Sequence, residues 1–382
     1  MIKKKYKKLV IDASRNKSGG AIIYLKNFIK HLNLENTKIK KIIIFSHKNI
    51  LDQIPNRSFL IKCSHPLLEM NIFFQIIWQL IYLPFFLKKN EIDILYSTDS
   101  STFCNYSNSI VFNQDILSFD KQALNQISFS LEKIRLYIIK FLQIYSLNNA
   151  KEIIFLSKYT AKTIAKNLRK KINYNVIYHG IEENFKVIDI KNLNNSIWNY
   201  NLKKKIKIIY VSPLFLYKNH LSVVKAYSRL KKKYNNLDIK FIGNYKHNLK
   251  LYNKIITSNP LINESHFAGE VNRKTLIKIL TESDIFVFAS STETFGISLL
   301  EAMAIGMPII CSNKSSLPEI LQDGGLYFNP KNDLELSNQI ELLITNKKLR
   351  KNKSKQARKI ALKFSWDKNT KLFCKILNRL SK

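Results

Sequence analysis

Acidic residues are scarce in this chain of 382 residues: 27 Asp and Glu stand against 63 Lys and Arg, a formal net charge of +36. A charge so one-sided calls for an anionic partner, whether nucleic acid, anionic lipid or a phosphorylated substrate. Two accounts stand side by side: a biased genome composition that spreads Lys, Asn and Ile along the whole chain, and a basic surface facing an anionic membrane. Cysteine is rare too. Cys63, Cys104, Cys311 and Cys374 lie far apart, which excludes a dense disulfide framework and paired metal-binding cysteines. The basic start MIKKKYKKLVIDAS contains an apolar run too short for a signal peptide. No repeat of fixed period, no helix-turn-helix, RNA-recognition or zinc-finger pattern and no metal-ligand spacing is present, so neither nucleic acid nor a metal is expected. Long apolar runs are absent but for residues 67–87, LLEMNIFFQIIWQLIYLPFFL, and that run carries Glu69, Asn71, Gln75 and Gln79, with Pro84 near its end. Such spacing suits a core or interfacial helix better than a bilayer span. These features imply a cytoplasmic protein.

What is present is core-forming material. Hydrophobic residues make up 46% and aromatics 12%, which excludes disordered and coiled-coil classes, and the length suggests two or three domains. Short apolar, β-branched runs alternate with amphipathic stretches: KKLVIDAS, KIIIFS, DILYS, SIVFNQD, EIIFLS and NVIYHG in the first half, KIIYVS, DIKFIG, IFVFAS, PIICS and LYFN in the second. Between them lie helical patterns such as YLKNFIKHL, SKYTAKTIAKNL, HLSVVKAYSRLKKKY and RKTLIKILTES. Strands apolar throughout and separated by helices imply parallel sheets covered on both faces, an α/β class. The polar stretch near residues 183–204 breaks the pattern. The expected division is a Rossmann-like domain over residues 1–185, a linker over 186–203, a second Rossmann-like domain over 204–364, and a final helix over 365–382 that packs back on the first domain. Two such domains would enclose a cleft, with ligands at the carboxyl ends of the strands.

The most informative string is SSTETFGISLLEAMAIGMPII, which follows the strand IFVFAS and leads into a helix beginning near Ser298. Glu293 lies in the loop and Glu301 follows eight positions later, about one turn inside the helix. Amides around Phe295, Gly296 and Ile297 would point from the helix start at an anion, and Gly296 would let the chain approach it closely. Carboxylates beside a phosphate are repelled by it, so their targets are hydroxyls of a sugar or ribose.

This string resembles the signature of glycosyltransferase family 4, retaining nucleotide-sugar enzymes of the GT-B fold, with two facing Rossmann-like domains. Further blocks are similar to that family in the same order: SGGAIIYLKNFI, FLSKYTAKTIA, VIYHGIEENF, YVSPLFLYKNH and SSLPEILQDGGLYFNP. The resemblance implies that Glu293 meets the transferred sugar, Glu301 the nucleotide ribose, and Lys218 the donor phosphates. It also implies a UDP- or GDP-sugar donor, Ser212, Gly19 and Gly20 in backbone loops at the site, and no cofactor, the nucleotide sugar being substrate. Its acceptor would be a glycan or lipid-linked saccharide, as in cell-surface polysaccharide or lipopolysaccharide synthesis. The protein would then sit in the cytoplasm, peripheral to the inner face of a membrane.

Two departures stand out. Where the family has an arginine five positions before the lysine, this chain has Pro213, with Arg273 and Lys314 as candidate replacements. Where the family has a histidine, the stretch VFNQDILSFD offers Asn113, Gln114 and Asp115. Asp115 could accept a proton or bind the acceptor, and equally could cap the following helix. His179 reads as a turn residue lining the cleft. A sugar-nucleotide 2-epimerase lacks its acid and base set here, and a GT-B partner without activity is the other alternative.

Overall fold

The computed structural model describes residues 6–17, 19–127, 130–169, 173–186 and 205–381. The expected linker over 186–203 lies almost wholly outside the described residues, as do Lys3, Lys4 and Lys5 of the basic start. The chain divides into two compact units. The first comprises residues 1–121, 128–180 and 365–382, and the second residues 122–127 and 181–364. The division therefore falls at Gly180 and Ile181, a few residues before the expected 185.

In the first unit, β1 (Lys7–Asp12), β2 (Ile39–Phe45), β3 (Leu60–Cys63), β4 (Ile94–Ser97), β5 (Ser109–Asn113), β6 (Glu152–Phe155) and β7 (Tyr174–Val176) form one parallel sheet, in the order β3-β2-β1-β4-β5-β6-β7. The order reverses between β1 and β4, the place where doubly wound sheets open a crevice at their carboxyl edge. Register defines two faces. Val10 pairs with Leu95, Ser97 with Val111 and Val111 with Ile153, so these side chains share one face. On it lie the helical stretch Ile72–Lys89, over Val10, Phe45 and Leu95, and the helix Leu131–Asn149, over Val111, Ile153 and Phe155. The opposite face holds the Gly19–His31 helix and the final helix Trp366–Leu380. Phe373 meets Phe28 edge-on at 4.9 Å between ring centroids and Tyr96 at 4.7 Å. His179 is buried there against Tyr24, Phe112 and Trp366, not a turn residue on a cleft, because the final helix covers it.

The 67–87 segment is not a plain core helix. It passes through a π turn over Trp78–Tyr82, beside Pro84, whose missing N–H removes one helical bond. Its buried side includes the polar Gln75 and Gln79 alongside Trp78, Leu83 and Leu87, while Phe73, Leu80, Ile81 and Phe85 face outward.

In the second unit, β8 (Ile206–Val211), β9 (Leu237–Ile242), β10 (Ile285–Phe288), β11 (Ile309–Ser312) and β12 (Leu326–Phe328) form a parallel sheet in the order β12-β11-β10-β8-β9. Its order reverses between β8 and β10, again a switch point. Strands β10 and β11 are buried along their whole length, which is why their sequences are apolar without alternation.

Candidate active site

The loops leaving β8 and β10 are tied together at that switch point. After Val211 the chain turns through Ser212 and Pro213 into a single 3₁₀ turn, Leu216–Lys218, then enters the helix His220–Lys231. Asn219 joins the two in the left-handed conformation (φ 54°), which Asn adopts more readily than most residues. Its amide Nδ2 reaches the carbonyl of Ala289 at 2.8 Å and Oγ of Ser291 at 2.7 Å, both past β10. The Ser291 amide donates in return to the Tyr217 carbonyl at 2.8 Å. Beneath, the Tyr210 hydroxyl donates to the Lys218 carbonyl at 2.6 Å. These bonds set the Lys218 backbone opposite the loop of Glu293.

The two side chains meet. Nζ of Lys218 donates to Oε1 of Glu293, and both groups are largely withdrawn from water. A third loop closes on them: Ser316, after β11, donates its hydroxyl to the Glu293 carbonyl at 3.0 Å. Lys314, two residues earlier, is exposed at the same loop.

Gly296 then begins the helix Ile297–Ile305. It takes φ 92°, closed to ordinary side chains, and a Cβ on it would stand 3.1 Å from Leu317 Cδ2. Phe295 beside it is buried, packed edge-on against Phe364 at 5.8 Å. The first amides of any helix lack acceptors within it, so the turn from Ile297 is built to receive negative charge. Ser298 fastens this start to β8, its hydroxyl donating to the Val211 carbonyl at 3.3 Å.

Glu301 is buried one turn on, and Oε1 accepts from Arg273 at 2.6 Å. The same guanidinium nitrogen donates to Glu182 at 2.7 Å, and the group lies 4.9 Å over the Phe185 ring. Burial pushes the Glu301 carboxyl up to about 7. The Arg273 charge pulls against that shift, and the Glu182 charge adds to it. Arg273 is thus committed to two carboxylates, which leaves Lys314 the more open of the two candidate replacements for the arginine missing at Pro213.

Lys218, Glu293, Phe295, Gly296, Ile297, Glu301 and Arg273 all belong to the second unit, on neighbouring loops and one helix. Ser212 is buried there, its amide held by the Ile242 carbonyl at 2.7 Å. Asp115, Gly19 and Gly20 belong to the first unit. Asp115 is exposed, and its Oδ1 accepts from the Leu117 amide at 2.8 Å, at the start of the 3₁₀ turn Leu117–Phe119. Gly19 heads the Gly19–His31 helix at φ 59°, with open space where a Cβ would lie. Tyr210, Asn219, Ser316 and Glu182 were not legible from sequence. Only Asn219, directly after the lysine, carried a signal, as a residue that tolerates the left-handed turn. Among the described residues no three His, Cys, Asp or Glu side chains gather as a metal site would need.

Two open parallel sheets, the second with a lysine, a carboxylate pair and a glycine-headed helix at its switch point, define the GT-B fold. Residues 194–360, somewhat under half of the chain, match the family model of Glycosyl transferases group 1. The chain is 30% identical over 233 residues to an uncharacterised glycosyltransferase of Methanocaldococcus jannaschii, an alignment covering 60% of this chain and 58% of that protein. It is 34% identical over 119 residues to N,N'-diacetylbacillosaminyl-diphospho-undecaprenol alpha-1,3-N-acetylgalactosaminyltransferase of Campylobacter jejuni, covering 31% of each. The chain thus spans less than two thirds of these relatives' length. Among solved structures, Anabaena HepE in complex with UDP-glucose superposes with a TM-score of 0.72 at 17% identity, over 98% of this chain and 99% of that one, which shows the shared fold.

Proposed function

We propose that the protein transfers a glycosyl group from a nucleotide sugar to a glycan or lipid-linked acceptor in the synthesis of a cell-surface saccharide, with retention of configuration and without a metal. The observation that carries this reading is the Lys218–Glu293 pair beside the Gly296-headed helix, a cation and an amide-rich turn converging with a hydroxyl-binding carboxylate on one loop cluster. The relatives' names support it: one acts on a diphospho-undecaprenol acceptor, and HepE holds UDP-glucose.

In this reading the acceptor hydroxyl attacks the anomeric carbon on the face the nucleoside diphosphate leaves. The bond to the diphosphate oxygen breaks, and that oxygen takes the acceptor's proton. A strong protein base is therefore unnecessary, and the protein's task is to hold the partners and stabilise charge on the leaving group. Lys218 Nζ and the amides from Ile297 face that charge. Glu293 holds sugar hydroxyls and, paired to Lys218, keeps the ammonium in place. Glu301 accepts from the ribose hydroxyls.

The test is a thermal-shift screen of UDP-, GDP- and other nucleotide sugars, followed by transfer or donor-hydrolysis assays. At a ligand concentration of 100 times Kd, binding stabilises the native state by about 2.7 kcal/mol. Lys218→Met is expected to lower kcat by about 10²- to 10³-fold, the usual effect of removing one preorganised charge-stabilising group. Absence of any shift across the panel, or full activity in that variant, refutes the assignment.

A further inference from the structure

The two helical segments on the Val10–Leu95–Val111 face of the first unit turn apolar side chains to solvent. On the Ile72–Lys89 segment Phe73 and Phe85 are each 62% exposed and Ile81 67%. On the Leu131–Asn149 helix Leu131 is 85% and Phe141 69% exposed, with Ile134, Tyr137, Ile138 and Tyr145 beside them. Because sheet register places both on the same side of the sheet, these residues belong to one helical layer rather than to opposite surfaces. A soluble helix normally turns such residues inward.

The Ile72–Lys89 segment is long and apolar enough to cross a membrane, yet its inner side is bound to the fold through polar contacts. Gln79 Nε2 donates to Asp12 Oδ2 at 2.9 Å and to Ser14 Oγ at 3.1 Å, and Gln75 Nε2 donates to the Leu68 and Met70 carbonyls at 3.0 and 2.9 Å. With one side stitched to buried Asp12, the segment lies along the unit and offers only its outer side.

The charges on the layer select the occupant. Ile72–Lys89 carries Lys88 and Lys89 and no acid, and Leu131–Asn149 carries Lys133, Arg135 and Lys140 against the single Glu132. A second copy meeting this face across a two-fold axis would bring like charges together. An anionic surface with an apolar interior matches both features: Phe, Leu and Ile enter the acyl boundary, Tyr137 and Tyr145 sit at headgroup depth, and the Lys and Arg meet lipid phosphates.

We propose that this two-helix layer docks in the plane of an anionic phospholipid bilayer, without spanning it. The layer belongs to the first unit and Lys218, Glu293 and Glu301 to the second, so either assignment can fail alone. The experiment is co-sedimentation of the full chain with vesicles of phosphatidylglycerol and phosphatidylethanolamine, or of phosphatidylcholine alone, at low and high salt. The expected result is strong partition to the anionic vesicles, weakened but not abolished by salt, because insertion of apolar side chains is not screened. Phe85→Glu and Phe141→Glu, both at exposed positions, should each weaken partition by about tenfold or more while leaving the nucleotide-sugar thermal shift unchanged. Leu334→Glu, exposed in the second unit, should change nothing. Native protein left in the supernatant with anionic vesicles overturns the proposal, as do variants that partition like the native chain. A native dimer dissolved by the two Phe variants, without vesicle binding, would assign the layer to a second copy instead.

Discussion

Glu301 is the residue whose environment most constrains the chemistry. Burial raises its carboxyl from the ordinary 4.5 to about 7, against the pull of Arg273 and with the push of Glu182. A carboxyl raised in this way holds its proton more tightly folded than unfolded, so its contribution to stability is largest on the acid side. That contribution declines as pH rises from about 4.5 to about 7. Binding runs the other way, since accepting from two ribose hydroxyls requires the ionised form. If only that form binds, the apparent Kd for a nucleotide sugar should tighten by about tenfold between about pH 6 and about pH 8. The pyrophosphate diester itself does not titrate there. Calorimetric titration across that range checks it: Glu301→Gln should flatten the profile, and Glu182→Ala should move its midpoint below 7. A flat profile in the native protein, or one that weakens with rising pH, refutes the role. Sequence made Glu293 and Glu301 legible through residue type and spacing, and Lys218 through the resemblance of YVSPLFLYKNH to the family's block. Glu182 stayed hidden because it acts through a partner 91 positions away, Arg273, and Tyr210 because it supports Lys218 through a backbone carbonyl, which residue type does not signal. Pro213 was visible as a departure, yet only the structure shows that Arg273 is already taken.

At the level of elements, the strands were legible and the helical layer was not. Parallel strands buried on both faces must be apolar runs, and β10 and β11 obey that rule. The rule that helices hide their apolar side holds only in part for Ile72–Lys89 and Leu131–Asn149: the 67–87 segment, expected as a core or interfacial helix, buries Gln75 and Gln79 with Trp78, Leu83 and Leu87 while Phe73, Ile81 and Phe85 face outward. At the site, the element that matters is the Ile297–Ile305 helix, whose start depends on a positive φ at Gly296. Gly296→Ala should destabilise the second unit by about 1–3 kcal/mol, the range for a side chain forced into that region, with Leu317 displaced by the new methyl. It should also weaken nucleotide-sugar affinity by turning the first amides away. Urea unfolding together with ligand titration checks both. A variant with native stability and affinity would show that this helix start does not set the site.

For the molecule as a whole, the chain does not end where its second unit ends. After lending it residues 122–127, the chain enters that unit again at Ile181 and leaves it at Phe364, and the last helix completes the first unit. Trp366, Phe373, Ile376 and Leu377 are buried there, and Thr370 and Asn369 donate to the His31 and Tyr178 carbonyls at 3.1 and 2.7 Å. Gly180 is the entry point to that packing, for a Cβ on it would fall 2.2 Å from the Trp366 amide nitrogen. The first unit thus depends on residues synthesised after the second unit is complete, whereas the second contains its own sheet and the proposed donor site. Trp366→Ala should therefore lower the stability of the first unit by about 3–5 kcal/mol, the usual loss for a buried Trp. Gly180→Ala should act in the same direction by driving the helix off its seat. Hydrogen exchange separates the units: protection should fall on β1, β4 and the Gly19–His31 helix in both variants, while β8, β10 and the Ile297–Ile305 helix keep theirs and remain stabilised by nucleotide sugar. Equal loss of protection in both sheets would mean that the final helix supports the whole molecule, and that the two units do not unfold as the separate bodies their contacts define.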